Sequence, residues 1–178
     1  MTLFDYVSED ICLEPLSQKH AEMIHIFASK YNVKKYIGWQ LKETSSETAE
    51  FVKTLIARHE AGSHVYASVV EKKTGRVIGT AMLFGFDKTA NHGEIGYVLD
   101  DTVWGKGYGT QIVRMVSEYA FKEIGLRKIF ARVVNTNHGS ARILEKNGYA
   151  LEAELKDYYM IDDCLMNCMY FSKYADCR

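Results

Sequence analysis

The sequence predicts a mixed α/β fold in a single domain that spans residues 1–178. Runs rich in β-branched and aromatic residues alternate with amphipathic helical patterns along the chain. Apolar residues make up 47% of the 178 residues, enough to bury one substantial core. One proline and no linker rich in serine, glycine or proline occur, so no domain boundary is indicated. We expect a twisted mixed sheet of about six to seven strands flanked by about four helices.

The first predicted elements are a strand and a helix. Residues 11–16 alternate in polarity as a strand does, and Pro15 indicates that this strand lies at or near a sheet edge. Ser17 is a suitable N-cap for the helix that follows. The apolar residues of that helix recur at helical spacing and predict its buried face: Ala21, Ile24, Phe27 and Ala28.

The segment 31–41 shows neither helical nor strand periodicity and is expected to be irregular. Two of its aromatic residues, Tyr36 and Trp39, would either roof a substrate or plug the core beneath the loop. The next run, Thr44-Ser45-Ser46-Glu47, has the form of a capping box and predicts a second helix that ends at Gly62.

An antiparallel hairpin and a further strand come next. Residues 64–70 and 76–84 are rich in strand-forming residues and flank a polar turn at 72–75. Residues 93–99 form the following strand, which leads directly into a glycine-rich turn.

Beyond the turn, the pattern predicts a long helix and a parallel strand. Apolar residues repeat at helical spacing between residues 109 and 124, and Gly125 is the expected C-terminal stop. Residues 128–134 follow a strand-helix unit, so this strand should lie parallel to the one that carries Glu94.

The last predicted elements are a short helix and two strands. Residues 135–140 open a helix over residues 141–146. The two final β-rich runs, 149–155 and 165–171, are separated by what we expect to be a polar loop that carries tyrosines.

The glycine-rich turn at residues 101–110 is the main candidate binding feature. Gly105, Gly107 and Gly109 remove Cβ atoms at alternate positions and permit positive φ angles. Because a helix begins there, its unpaired amides and positive dipole end favour a phosphate or pyrophosphate. Lys106 adds a cation. The alternative is a tight strand-to-helix turn that binds nothing.

Neither common nucleotide-binding motif fits this turn. The pattern G-x-G-x-x-G would need a glycine where Thr110 or Ile112 stands, and a P-loop would need a G-K-[ST] ending. A shorter anion cradle is what the residues predict.

Composition argues against several classes of protein. The formal net charge is −1 without a block of basic residues, which argues against a nucleic-acid partner. No apolar run reaches membrane-spanning length and no signal-peptide pattern opens the chain, so we expect no membrane partner and a cytoplasmic location. The cysteines lack a C-x-x-C pair, so we expect reduced thiols and no metal site: Cys12, Cys164, Cys168 and Cys177.

Two motifs resemble the GNAT superfamily of acyl-CoA-dependent N-acetyltransferases, in particular the branch that acetylates ribosomal-protein N termini and related amines. The family's phosphate turn reads Q/R-x-x-G-x-G/A, and Gly107 and Gly109 hold its glycine positions. Trp104 replaces the usual glutamine or arginine, a departure common in that branch. Residues 137–149 read NHGSARILEKNGY and resemble the family's N-x-x-S/A…E-K-x-G-F segment, with Tyr149 for phenylalanine. The resemblance covers nearly the whole chain and implies that parallel strands 4 and 5 splay apart.

The resemblance implies that acetyl-CoA or coenzyme A is the bound cofactor. Its pantetheine arm would fill the gap between the splayed strands, and its pyrophosphate would rest on the amides of residues 107–110. Asn137 would contact the pantetheine arm or act as an ordinary N-cap, and Ser140 would lie near the thioester or be a plain helix-start hydroxyl. The implied cofactor-binding residues are Tyr97, Val98, Leu99, Trp104, Gly105, Lys106, Gly107, Tyr108, Gly109, Thr110, Asn137 and Ser140.

Acetyl transfer to an amine requires a base, because an alkyl amine is mostly protonated near pH 7. Glu94 resembles in position a glutamate that several family members use, directly or through water. Gly93 and Gly96 would give an approaching amine room beside it; the alternative is a solvated glutamate without a role. His92 would project to the same face of a regular strand and is a second candidate base.

The general acid is less defined by the sequence. Many family members protonate the leaving thiolate with a tyrosine on the last helix, and Leu144 stands at that position. Ser140, water, or a tyrosine such as Tyr158 or Tyr159 would have to serve instead. By resemblance, a strand amide near Tyr97 or Val98 would bind the oxyanion.

The acceptor is expected to be a primary amine, either a peptide N terminus or a small molecule. Asp157, Asp162 and Asp163 on the penultimate loop would form an acidic rim that attracts a cationic amine, or simply a solvated turn. The candidate substrate-binding residues are Trp39, His92, Tyr158 and Tyr159.

The resemblance thus implies an acetyl-CoA-dependent N-acetyltransferase that moves an acetyl group directly to an amine, with Glu94 as base and Ser140 as a second catalytic residue. The alternative is a non-catalytic acyl-CoA-binding sensor or interaction module, favoured by Leu144. A monomer and a homodimer fit equally well.

Overall fold

One sheet of seven strands runs through the protein, whose computed structural model describes residues 1–36 and 43–175. The strands are β1 (Ile11–Pro15), β2 (Val65–Glu71), β3 (Arg76–Asp87), β4 (His92–Leu99), β5 (Lys128–Val134), β6 (Ala150–Ile161) and β7 (Cys164–Tyr174). Their spatial order is β1-β2-β3-β4-β5-β7-β6, in which β4 and β5 are parallel and the other neighbours are antiparallel. The predicted mixed α/β fold is confirmed.

Five α-helices accompany the sheet in the described part of the chain. They are α1 (Ala21–Ala28), α2 (Tyr31–Lys34), α3 (Ser45–Glu60), α4 (Tyr108–Tyr119) and α5 (His138–Lys146). The capping box of α3 is confirmed, since the Glu47 amide donates to Thr44 Oγ1 at 3.2 Å and the Thr44 amide to Glu47 Oε2 at 3.0 Å. The prediction of an irregular segment from residue 31 was wrong over α2, where burial of Val33 stabilises one helical turn.

The helices cover both faces of the sheet. On one face, α1 and α3 pack their apolar residues against β2 and β3: Ile24, Phe27, Val52 and Leu55 against Tyr66, Val70 and Val77. On the other face, α4 and α5 pack against the central strands: Ile112, Val113, Val116 and Leu144 against Leu83, Ile95 and Ile129. Gly125, at φ 76°, ends the π-helical turn Ala120–Ile124 that continues α4, as predicted.

The last two strands form a much longer hairpin than the sequence predicts. The expected polar loop is strand, and the turn between β6 and β7 consists of Asp162 and Asp163, with φ angles of 49° and 59°. Asp157 lies inside β6, at an irregularity in its pairing with β7, rather than on a loop. Pairing from Tyr159 with Met166 to Ile161 with Cys164 supplies the backbone hydrogen bonds that offset the poor strand propensity of the polar residues.

Gly79 of β3 lies too close to the end of β4 to carry a side chain. An ideal Cβ there would overlap the Val98 carbonyl oxygen, a main-chain atom that cannot rotate away. We expect Gly79→Ala to lower the free energy of unfolding by about 3 kcal/mol, measured by urea denaturation. Gly139→Ala is the matched control, since its Cβ would meet only Asn137 Oδ1, at 3.8 Å. Its effect should stay below about 1 kcal/mol, and an equally stable Gly79→Ala protein would contradict this account.

Candidate functional site

The parallel strands β4 and β5 separate after a short stretch of pairing. Three residue pairs join them, from His92 with Lys128 to Glu94 with Phe130. Beyond Glu94, β4 continues to Leu99 and β5 to Val134 without further pairing between them. This confirms the splayed strands 4 and 5, and the facing backbone groups are left for another partner.

Two grooves meet at this gap. The α4–α5 groove, of about 520 Å³, runs along the glycine-rich turn; the α3 groove, of about 650 Å³, lies on the opposite face. The α4–α5 groove is lined by Val33, Leu99, Val103, Trp104, Gly105, Gly107, Tyr108, Gly109, Thr110, Arg142, Ile143 and Lys146, among others. The α3 groove is lined by Lys35, Phe51, Leu55, Arg58, His64, Tyr66, Met82, Phe84, Glu94, Gly96, Arg132, Tyr159 and Met160, among others. Both grooves are lined by Tyr36, Tyr97, Val98, Asn137 and Ser140, so the two spaces adjoin at these residues.

The glycine-rich turn presents its amides to the α4–α5 groove. Gly105 and Gly107 have φ angles of 80° and 82°, and no atom lies within 4 Å of the position that a Cβ would occupy on either. The first helical bond of α4 comes from the Gln111 amide to the Gly107 oxygen, at 3.2 Å. The amides of Tyr108, Gly109 and Thr110 therefore remain outside the helical ladder, as an anion site requires.

Gly109 has a different role from the other two glycines. Its missing Cβ would lie 2.5 Å from Cδ1 of Ile143 on α5, so the absent side chain allows α4 and α5 to pack closely. Gly105 and Gly107 leave the turn uncovered as the sequence predicts, whereas Gly109 lines the groove but has its missing Cβ directed at Ile143.

Trp104 and Lys106 border the turn in different ways. Trp104 Nε1 donates to the Leu99 oxygen at 3.0 Å, which ties the turn to the end of β4, while the indole lines the α4–α5 groove. The Lys106 ammonium lies 3.8 Å from Glu71 Oε1 and over the Tyr108 ring, and its side chain is not part of the groove lining. The cations that line this groove are Arg142 and Lys146 of α5, which the sequence analysis did not single out.

Asn137, Ser140 and Tyr97 stand where the two grooves meet. Asn137 Oδ1 accepts the Ser140 amide at 3.1 Å, so it caps α5, while its Nδ2 donates to no residue in the described ranges. Ser140 Oγ lies 2.8 Å from the Tyr97 hydroxyl. Burial raises the pKa of Tyr97, so this pair stays protonated and can donate a proton into the junction.

Glu94 is buried and held by an arginine that the sequence analysis missed. Arg132 Nε and Nη2 each donate to a Glu94 carboxylate oxygen at 2.9 Å, and Nη1 donates to the Tyr158 hydroxyl at 2.8 Å. The hydrogen bond to Glu94 raises the pKa of Arg132 above its ordinary value. Because Phe130 pairs with Glu94, Arg132 falls on the same face two residues along β5. The available signal was a basic residue within the otherwise apolar run of residues 129–134.

An aromatic row continues the α3 groove away from Glu94. Phe84 pairs with Glu94 across β3 and β4, and the His64 ring stacks on Phe84 with centroids 6.0 Å apart and on Tyr66 at 5.5 Å. Burial and the nearby charge of Arg58 lower the pKa of His64, which is therefore neutral at pH 7. His64 and Arg58 are further groove residues that sequence reasoning did not identify.

The remaining predicted substrate-binding residues lie in different parts of the structure. Tyr159 lines the α3 groove and its hydroxyl donates to Cys168 Sγ at 3.6 Å, whereas Tyr158 reaches the site through Arg132. His92 shares the face of Glu94, but its ring packs edge-on against Phe130 and does not line the groove. Trp39 lies outside the described residues.

Three sequence expectations about the surroundings are corrected or completed. None of Asp157, Asp162 and Asp163 lines either groove, and Asp162 Oδ2 accepts the Tyr31 hydroxyl at 2.7 Å, so the acidic rim was wrong. The missing Cβ of Gly93 faces Leu126 and Phe86 rather than an open space beside Glu94. Tyr36 does span the site, since its hydroxyl donates to the Thr136 oxygen at 3.3 Å.

Leu144 is fully buried in the core beneath α5. Three cysteines in the described ranges, Cys12, Cys164 and Cys168, are free thiols; Cys177 lies outside those ranges. Within residues 1–36 and 43–175, no group of histidine, cysteine, aspartate or glutamate side chains is placed to hold a metal ion. No helix in the described part of the chain is long and apolar enough to cross a membrane.

Comparison with known proteins agrees with this geometry. Residues 10–150 match the family model of the acetyltransferase (GNAT) domain. The uncharacterized N-acetyltransferase YoaA of Bacillus subtilis (strain 168) is 25% identical over 151 residues, 85% of each chain. The ribosomal-protein-S5-alanine acetyltransferase from Vibrio fischeri is 22% identical, with a TM-score of 0.86 over 96% of both chains. A ribosomal L7/L12 alpha-N-protein acetyltransferase in complex with coenzyme A is 18% identical, with a TM-score of 0.87 over 96% of this chain and 97% of its own. The two solved structures share the fold of this chain.

Proposed function

The chain belongs to the GNAT acetyltransferase family, and we propose that it transfers the acetyl group of acetyl-CoA directly to the primary amine of a small molecule or a peptide N terminus. Its membership makes it an acetyltransferase that uses acetyl-CoA. The observation that carries the proposal is the meeting of two grooves at the splayed strands, with a buried carboxylate on one side and a hydroxyl pair at the junction.

The α4–α5 groove has the chemistry that acetyl-CoA requires. Free amides at the start of α4, an unobstructed approach at Gly105 and Gly107, and the cations Arg142 and Lys146 suit its phosphates. The unpaired edges of β4 and β5 and the Asn137 amide suit the polar groups of its pantetheine arm. When bound, acetyl-CoA supplies an acyl carbon activated by a thiolate leaving group.

Glu94 takes the proton that the acceptor amine must lose, directly or through one water molecule. The two hydrogen bonds from the Arg132 guanidinium fix the orientation of this carboxylate. Each carboxylate oxygen has a second lone pair, so two acceptor positions are left for an ammonium group. One C–N bond forms and one C–S bond breaks. A strand amide at Tyr97 or Val98 donates a hydrogen bond to the oxyanion.

Ser140, backed by Tyr97, returns a proton to the departing thiolate. Leu144 is fully buried and carries no hydroxyl, so the hydroxyl pair at the junction takes the place of the family's helix tyrosine. We expect Ser140→Ala to lower kcat by about tenfold, less than general acid catalysis often contributes, because a thiolate leaves readily. Acetyl-CoA affinity, measured by calorimetry, should stay near the wild-type value. An unchanged kcat would remove Ser140 from the reaction.

Thiol release tests the proposed function. The protein is mixed with acetyl-CoA and a panel of amines, amino acids and short peptides, and free coenzyme A is followed with a thiol reagent while mass spectrometry identifies the acetylated product. The proposal predicts thiol release that depends on an amine and matches product formation. Binding of acetyl-CoA without amine-dependent release would instead favour a catalytically silent acyl-CoA sensor, the reading consistent with Leu144.

A further inference from the structure

The side chains that line the α3 groove carry a net positive charge, whereas a site that binds polyamines should be negatively charged. Among the groove-lining residues that the structure describes, Glu94 is the one carboxylate, and three cationic side chains line the same groove: Lys35, Arg58 and Arg132. Since unlike charges attract and like charges repel, the groove as a whole opposes a polycation.

Arg132 and Glu94 neutralise each other through two hydrogen bonds, so the excess charge resides on Lys35 and Arg58. Neither of these forms an ion pair with a carboxylate in residues 1–36 and 43–175. The Arg58 guanidinium lies near the Tyr66 phenol, and the Lys35 ammonium lies 4.9 Å from the centroid of the Tyr36 ring. His64 adds no charge at pH 7, because burial and Arg58 lower its pKa.

Much of the remaining lining of this groove is apolar and aromatic. Phe84 and His64 form a stacked row from the Glu94 position outward, and Tyr66 continues it. Flat rings of this kind accommodate an apolar or aromatic body at little entropic cost. The lining of the groove therefore includes a carboxylate, an aromatic wall, and two cations that have no acidic partner among the described residues.

We propose that the acceptor is a small amine that also carries a carboxylate or a phosphate, such as an amino acid with an apolar side chain. Glu94 receives its ammonium group, and Arg58 and Lys35 receive its anion. This inference rests on the proposed acetyl transfer and specifies the substrate class of the same site.

The test compares acceptors that differ in the anionic group. L-Phenylalanine is paired with L-phenylalaninamide, O-phosphoethanolamine with ethanolamine, and spermidine represents the polycations. We expect kcat/KM for at least one acidic member to exceed that of its neutral partner by about tenfold or more, with spermidine poorest. Which pair shows the preference tells carboxylate from phosphate. The phenylalanine comparison is stringent, because the amine of L-phenylalaninamide is less basic than that of L-phenylalanine. A larger fraction of it is neutral, which by itself favours the neutral partner.

Arg58→Gln tests the residue assignment. It should raise KM for the preferred acidic acceptor by about tenfold, leave kcat near the wild-type value, and leave the neutral partner unaffected. Lys53→Gln is the matched control, since Lys53 lies on the same helix, pairs with Glu50 and does not line the groove. It should preserve the preference.

Two results would overturn the inference while leaving acetyl transfer intact: spermidine or the neutral partners acetylated at least as well as the acidic acceptors, or a preference that survives both Arg58→Gln and Lys35→Gln. A protein that binds acetyl-CoA but acetylates no amine of any class would instead refute the proposed function, and the substrate class with it.

Discussion

Replacing Glu94 with glutamine should lower kcat for acetyl transfer by about 10²-fold near pH 7, because the acceptor ammonium loses its proton acceptor. The loss should shrink as the pH rises toward the pKa of the amine, since solvent then supplies the neutral nucleophile. Glutamine can still accept a hydrogen bond from Arg132, so the fold and the affinity for acetyl-CoA should persist. Thiol-release rates with the best acceptor across pH 6 to 10, together with thermal unfolding, measure both expectations.

Glu152→Gln provides the matched control for this substitution. Glu152 also pairs with a cation on β5, Lys128, at 2.7 Å, but it lies on β6 and lines neither groove. The same change of charge on the same sheet should therefore leave kcat and its pH profile unchanged. A loss in Glu94→Gln of equal size at every pH would assign Glu94 a structural role, and an undiminished kcat would exclude it from proton transfer.

Replacing Gly107 with valine should weaken acetyl-CoA binding by about 10²-fold or more. Gly107 has a φ angle of 82°, which a β-branched residue adopts poorly, and the new side chain would project into space that is open now. Shifted or covered amides could no longer bind phosphate oxygens, and each charge-assisted bond contributes about 1.5–3 kcal/mol. Titration calorimetry with acetyl-CoA measures the loss.

Gly75→Val distinguishes general backbone strain from a blocked phosphate site as the cause of weaker acetyl-CoA binding. Gly75 has a similar φ angle of 69° and equally open surroundings, but it lies in the turn between β2 and β3 and lines neither groove. Gly75→Val should cause backbone strain and a lower unfolding temperature, as Gly107→Val does, without any change in acetyl-CoA affinity. If both variants lost affinity equally, or if Gly107→Val kept it, the glycine turn would not be the phosphate site.

Most elements of the fold could be predicted because they depend on neighbours along the chain. The capping box at Thr44 and the stop at Gly125 each rest on groups a few residues apart. The β6–β7 hairpin could not be predicted in full, because its polar residues form strand only through pairing with a partner such as Met166. The same holds for α2, whose single turn depends on the burial of Val33.

The residues of the candidate site fall into the same two groups: those that local motifs predict, and those that depend on contacts between distant parts of the chain. The glycine turn and the start of α5 are contiguous motifs, so their residues could be named from the sequence. Arg132 required the register of β5 against Glu94, which no local pattern contains. Arg58 lines the α3 groove because α3 packs on the sheet, and His64 does so because its ring stacks on Tyr66 and Phe84. The pairing of β6 with β7 places Asp157 within a strand, and Asp162 and Asp163 in the turn that follows.

A crystal structure with coenzyme A shows whether the glycine turn and the splayed strands bind the cofactor. We expect the diphosphate on the amides that follow Gly107, and the pantetheine arm between β4 and β5 with its sulfur beside Ser140. Coenzyme A bound elsewhere on the protein, with the space between those strands filled by side chains, would contradict it.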